Sequence, residues 1–192
     1  MTKDCKLPTR IGRALCRFAR SASGSIAIEF AAVAPIFVLI LAMTVDSGLV
    51  LRARFNLDTA VSSSAGFAII NGSNIGAAGS AKFAEQLATI VPKGYETKVV
   101  VNNASTVSRT AAAASASASG NTANAENCYC PAGAGASLTW GSAAVCKTPC
   151  ANGGQAGKFV VIRASVNYSP MFFDYGLISE GKISSEAVVQ IQ

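Results

Sequence analysis

From Phe30 to Met43 the chain runs for fourteen residues without a polar side chain. Extended to Ile26 on one side and Val50 on the other, the apolar stretch reaches about 25 residues. At ~1.5 Å rise per residue, a helix of that length crosses the ~30 Å hydrocarbon core of a bilayer with some tilt. Its interruptions are Glu29, Pro35, Thr44, Asp46, Ser47 and Gly48, mostly near the ends. No other part of the 192 residues approaches this apolar length, so the sequence predicts one transmembrane helix.

The rest of the composition agrees. Charged residues make up 14% of the chain, against the ~25% typical of soluble domains. The net charge of +6 is not a nucleic-acid signal once it is located. Lys3, Lys6, Arg10, Arg13, Arg17 and Arg20 against Asp4 put +5 into residues 1–24, leaving ten basic and nine acidic residues, +1, for residues 25–192. A nucleic-acid interface needs basic residues spread over a folded face, so no nucleic-acid partner is expected. The same asymmetry predicts topology. Residues 5–24 hold five Lys or Arg and residues 51–70 hold two, Arg52 and Arg54. The positive-inside rule then puts the N-terminus in the cytoplasm and the C-terminal part outside. A cleaved Sec signal would need a small-residue site after the apolar core, which Ala42-Met-Thr-Val-Asp-Ser-Gly48 supplies poorly. Arg10, Arg13, Arg17 and Arg20 oppose Leu7, Ile11, Leu15 and Phe18 on a helical wheel. We read this as an interfacial flank of the span rather than a transit peptide.

An acid within an apolar segment is costly, up to ~2.5–3.5 kcal/mol at mid-membrane, and usually marks function. Glu29 is that acid. It lies five residues after Gly24, in Gly24-Ser-Ile-Ala-Ile-Glu-Phe30, between the basic leader and the apolar helix, with Ala34-Pro35 following. This arrangement resembles the processing site of type IV prepilins, and more closely the TadE-like pseudopilins of the tight-adherence pilus system. The resemblance implies cleavage after Gly24 by a prepilin peptidase, with Ser25 as the new N-terminus, Glu29 as its fifth residue and Phe30 beside it. It further implies residence in a bacterial inner membrane, a periplasmic C-terminal domain, and pilus and pilus-assembly proteins as partners besides the lipid bilayer. The motif has its own physical logic. Cleavage exposes an α-ammonium at the membrane boundary, and a carboxylate one helical turn away, in the same or a neighbouring subunit, offsets the cost of burying both. Pro35 is tolerable because neighbours in a membrane can satisfy the carbonyl it frees.

Beyond the span, Val50, Leu57, Val61, Ala65 and Ala68 keep helical spacing on one face, and Asn71-Gly-Ser73 reads as a stop. One helix from about Ser25 to Ile70, a pilin-like stalk, is expected. A second helix is expected over 77–91, with Phe83, Leu87, Ile90 and Val91 on one side and Pro92 ending it. The period then shortens. Strands are expected from Tyr95 to Asn102, Phe159 to Tyr168 and Ile183 to Ile191, all rich in β-branched residues. The Ala/Ser/Asn/Thr tract Ala111–Ala125 reads as an exposed loop. The fold class is therefore α+β, with a small antiparallel sheet. Its expected organisation is a basic cytoplasmic leader (1–24), a transmembrane helix (25–50), a helical extension (51–72) and an extracytoplasmic domain (73–192) with a flexible loop at 108–127.

The six cysteines divide by compartment. Cys5 and Cys16 fall in the leader and are expected to be reduced. Cys128, Cys130, Cys146 and Cys150 fall on the oxidising side. A bridge between Cys128 and Cys130 across one residue would be strained, so each is expected to pair with one of Cys146 and Cys150, in either connectivity. A four-thiolate zinc site is the alternative, although Cys-x-Cys followed by Cys-x₃-Cys lacks the usual Cys-x₂-Cys hooks. With no histidine the chain lacks the commonest general base and metal ligand. Gly153-Gly-Gln-Ala-Gly-Lys158 has a misplaced first glycine for a phosphate loop, and Phe159 stands where Ser or Thr is needed, so it reads as a turn. Asn71, Asn103 and Asn167 begin Asn-x-Ser triplets short enough to arise by chance. No catalytic residue and no cofactor is expected. The expected role is that of a structural minor pseudopilin in pilus assembly. The alternative is a single-pass anchored extracytoplasmic binding protein that is never processed.

Overall fold

The computed structural model describes residues 23–113, 115–133, 135–172 and 181–191. The leader up to residue 22, with Cys5 and Cys16, lies outside the described residues. The chain divides into two compact units, Met1–Ser47 and Gly48–Gln192. Helix α1 (Ser23–Asn71) spans that boundary, and its two parts are taken separately.

In the first unit α1 is apolar on every side. Ile28, Phe30, Val33, Ile36, Phe37, Val38, Leu39, Ile40, Leu41, Met43 and Val45 are all exposed. A helix with no polar face is stable only where its surroundings are as apolar as itself. The helix is long and apolar enough to cross a membrane. Pro35 sits inside it without ending it. Thr44 donates its hydroxyl to the Leu41 carbonyl (2.8 Å), so its polar group is satisfied within the helix.

In the second unit the same helix becomes one-sided. Leu57, Ala60, Val61, Ser64, Ala65 and Ala68 are buried at helical spacing, and Phe67 packs at their margin. The helix ends at Asn71, whose amide donates to the Phe67 carbonyl (3.0 Å). Gly72 follows, and only glycine fits there: a Cβ would stand 2.5 Å from the Ala68 carbonyl oxygen and 2.8 Å from Ile191. Helix α2 (Ala77–Ile90) buries Ser80, Phe83, Ala84, Leu87 and Ala88, the i, i+3, i+4, i+7 stripe expected of an amphipathic helix. Ser64 donates to the Leu87 carbonyl (3.0 Å), and the rings of Phe67 and Phe83 stack at 6.2 Å. The two helices thus meet through both polar and apolar contacts.

Five antiparallel strands follow: β1 (Glu96–Val101), β2 (Ser105–Arg109), β3 (Ser117–Gly120), β4 (Phe159–Asn167) and β5 (Lys182–Gln190), in the order β3-β2-β1-β4-β5. The inner face carries Val99, Val101, Val107, Val160, Ile162 and Ala164, which join the helices in one core. The α+β expectation, the second helix and the strands expected from Tyr95, Phe159 and Ile183 are all present. Two strands were not expected. β2 has only Val107 as an apolar residue, and β3 lies inside the Ala/Ser tract read as a loop, with all four of its residues exposed.

Between β3 and β4 lies the cysteine loop. Cys128 is bonded to Cys146 and Cys130 to Cys150, so the four described cysteines form two disulfides. The strand-like bridges of Cys128 with Ala144 and of Tyr129 with Gly157 anchor the loop to itself. The Tyr129 and Trp140 rings meet edge to face at 5.8 Å. The Gly153–Lys158 segment is a turn: Gly153 has φ +88, Cys150 N–H donates to the Gly154 carbonyl (2.8 Å), and the chain continues into β4.

Candidate functional site

The expected processing site is the start of α1. Gly24 and Ser25 lie in its first turn, and Glu29 and Phe30 follow one turn on. Both Glu29 and Phe30 are exposed, Phe30 at 74%. A helix rises ~1.5 Å per residue, so the four steps from Ser25 to Glu29 bring their backbones about 6 Å apart along the axis. On the expected cleavage, an α-ammonium at Ser25 would lie within pairing reach of the Glu29 carboxylate or of a neighbour's equivalent. Beyond Phe30 the helix exposes large apolar side chains from Val33 to Val45, and an ion pair matters more where such a helix lies in surroundings of low dielectric.

Residues 24–65 match the TadE-like protein family. The match begins at Gly24, takes in Glu29, Pro35 and the whole apolar run, and ends on the core-facing turns of α1 at Ala65. It stops short of α2, the sheet and the cysteine loop. No curated protein and no solved structure matches the chain.

The second unit holds the residues that sequence reading did not single out. Asn102 and Asn103 (φ 48° and 53°) form the β1–β2 turn, closed by Ala104 N–H donating to the Val101 carbonyl (2.9 Å). Two consecutive left-handed residues make the turn that suits the twist of paired strands, and asparagine is among the few residues that adopt it readily. Asn102 is also buried and bonded on every side. Its N–H donates to the Phe159 carbonyl (2.7 Å), and its Oδ1 accepts from Phe159 N–H (3.3 Å). Its Nδ2 donates to the carbonyls of Ala125 (3.1 Å) and Asn127 (2.7 Å). One side chain thus ties the hairpin to β4 and to the 3₁₀ turn Thr122–Glu126. The readable signal was the Asn-Asn pair between two β-branched runs.

Six charged side chains complete the framework. Arg109 is buried, and its Nη2 donates to the carbonyls of Val91 (2.6 Å) and Pro92 (3.0 Å), placing a cation at the C-terminal end of α2 where the helix dipole favours one. Glu126 accepts from Ala77 N–H (2.9 Å) at the opposite end of α2, where the N-cap residue is Gly76 and has no side chain to do so. On the outer face of the sheet Arg163 pairs with Glu186 (2.7 Å), and Lys182 with Glu96 (3.0 Å). The Lys182 ammonium and the Ser165 hydroxyl, both bonded to Glu96, hold its carboxyl below the ordinary value of 4.5.

Proposed function

We propose that this chain is a membrane-inserted minor pseudopilin that assists assembly of a tight-adherence pilus. The observation that carries the reading is the TadE-like match, which starts at the glycine of the expected cleavage site and runs through the apolar helix. The second unit supports it: a one-sided helix leads from the apolar segment into a small α+β domain stapled by disulfides, as expected on the oxidising side of a membrane. In this reading a prepilin peptidase cuts between Gly24 and Ser25, the N-terminus faces the cytoplasm and the sheet faces the periplasm. The action is structural: α1 packs in the membrane or a filament, and the outer domain meets assembly partners.

The test compares two variants in the native host. Gly24→Ala places a methyl where the peptidase must close on the chain and should slow or stop loss of residues 1–24, read by mass spectrometry of the mature N-terminus. Glu29→Gln keeps volume and hydrogen bonding but removes the charge, so it should permit substantial cleavage while impairing surface pili. Wild-type protein that keeps residues 1–24, together with normal pili in both variants, would refute the reading and favour an unprocessed anchored binding protein.

A further inference from the structure

The face of the sheet opposite the helices carries a groove of about 700 Å³. Strand register assembles its floor in two rows. Ser108, Lys98, Arg163 and Glu186 lie side by side across β2, β1, β4 and β5, and Glu96, Ser165 and Ser184 form the next row across β1, β4 and β5. Gly135, in the cysteine loop, forms one wall, held there because its N–H donates to Glu186 (3.2 Å) and its carbonyl accepts from Arg163. Three steps between neighbouring strands, at ~4.8 Å each, make the longer row about 14 Å, the length of roughly four residues of extended chain.

The charges in the groove do not balance. Both carboxylates are committed, Glu186 to Arg163 and to Gly135, Glu96 to Lys182 and Ser165. Lys98 has no ion pair or hydrogen bond among the described residues, and it stands directly opposite Arg163 on the neighbouring strand. Like charges so placed, with Cβ atoms ~5 Å apart, are destabilising. The fold tolerates an uncompensated cation at the centre of a groove with serine hydroxyls at Ser108 and Ser184. An anionic group on a ligand would remove the imbalance. Among the described residues the groove is lined by charged, hydroxyl and small side chains and by no aromatic ring.

We propose that this groove docks an acidic, extended segment of a partner polypeptide, with a side-chain carboxylate seated on Lys98. The proposal is independent of the pilus role. Its test uses the full chain, disulfides intact, in non-ionic detergent at low salt, with fluorescence anisotropy of a labelled octapeptide of alternating glycine and glutamate. Glutamine and lysine versions of the peptide and an unlabelled oligogalacturonate competitor complete the set. The glutamate peptide should bind at least tenfold tighter than either counterpart. Lys98→Glu should weaken it about tenfold or more and Lys98→Ala by several-fold, while Lys93→Glu, at an exposed lysine outside the groove, should change it less than twofold. Because Lys98 is exposed and opposes a like charge, its replacement should leave the near-ultraviolet dichroism of the fold intact. No binding at millimolar peptide, or equal loss from the Lys93 and Lys98 variants, would overturn the proposal. So would an oligogalacturonate that binds more tightly than the peptide.

Discussion

Replacing Asn102 separates what its backbone does from what its side chain does. Asn102→Gly keeps the left-handed turn but removes three good side-chain hydrogen bonds, to Phe159 N–H and to the Ala125 and Asn127 carbonyls. At a net ~1 kcal/mol each, with a further ~0.5–1 kcal/mol for the extra freedom glycine gives the unfolded chain, the loss should be about 3–4 kcal/mol. Asn102→Asp is the sharper perturbation. It preserves shape, turn preference and the acceptor facing Phe159, but turns an oxygen toward two carbonyls where Nδ2 donated. At neutral pH it should destabilise at least as much as Asn102→Gly. Burial and the facing carbonyls raise the new carboxyl's folded-state pKa above its unfolded ~3.9. The folded state then binds the extra proton, so the deficit should shrink as pH falls through the raised value and be smallest below ~3.9. The assay is urea unfolding of the full chain in detergent, followed by the near-ultraviolet signal of the Tyr129–Trp140 pair, at several pH values. An Asn102→Asp protein within ~0.5 kcal/mol of wild type at neutral pH would show that these bonds do not hold the hairpin to β4, and the reasoning would fail.

Other perturbations probe the remaining framework. Arg109→Met keeps much of the buried bulk but removes charge-assisted bonds to Val91 and Pro92, and should cost about 2–3 kcal/mol in the same unfolding assay. Glu96, with its folded-state pKa lowered chiefly by Lys182, contributes stability above the ordinary carboxylate range and loses it as pH falls through the lowered value. Lys182→Met should move the Glu96 titration, followed by side-chain carboxyl NMR, back toward 4.5; an unmoved titration would deny the pairing. Under non-reducing conditions thiol reagents should modify none of Cys128, Cys130, Cys146 or Cys150. Replacing Cys130 and Cys150 together by alanine should cost roughly 2–4 kcal/mol, and a stability unchanged by that pair would mean the loop is held by its other contacts alone.

What could be read from the chain, and what could not, follows from how far apart the cooperating residues lie. The apolar run, α2 and the strands at 96, 159 and 182 are signals local to a few turns or one strand, and they were legible. β2 was hidden because two of its three inward positions are polar. Among the described residues the Ser105 side chain bonds to Ser80 (2.7 Å), and Arg109 to the Val91 and Pro92 carbonyls after α2 and to Thr97 on β1, so their burial has no signature in the strand itself. β3 is an exposed edge of serine, alanine and glycine with no apolar alternation to reveal it. The groove was out of reach for the same reason on a larger scale: Lys98, Arg163 and Glu186 become neighbours only through the pairing of β1 with β4 and of β4 with β5.

The reliance on polar fixtures has a cause in the core's composition. Of its 18 buried members, six are alanine and six are valine. Alanine lets helix backbones approach closely, as the Ser64 hydroxyl reaching the Leu87 carbonyl shows, but it buries little apolar area. Small side chains also specify position weakly, since they interdigitate less than leucine or phenylalanine. Register and orientation in the second unit therefore fall to groups with directional demands. Asn102 fixes the hairpin on β4, Arg109 and Glu126 fix the two ends of α2, Ser80 fixes α2 on β2, and two disulfides fix the loop that walls the groove. In α1 before Ser47 the large apolar side chains of the described residues instead point outward all round. Specificity within the second unit and apolar surface on the first are thus separate resources of this sequence, and a substitution in one should leave the other intact.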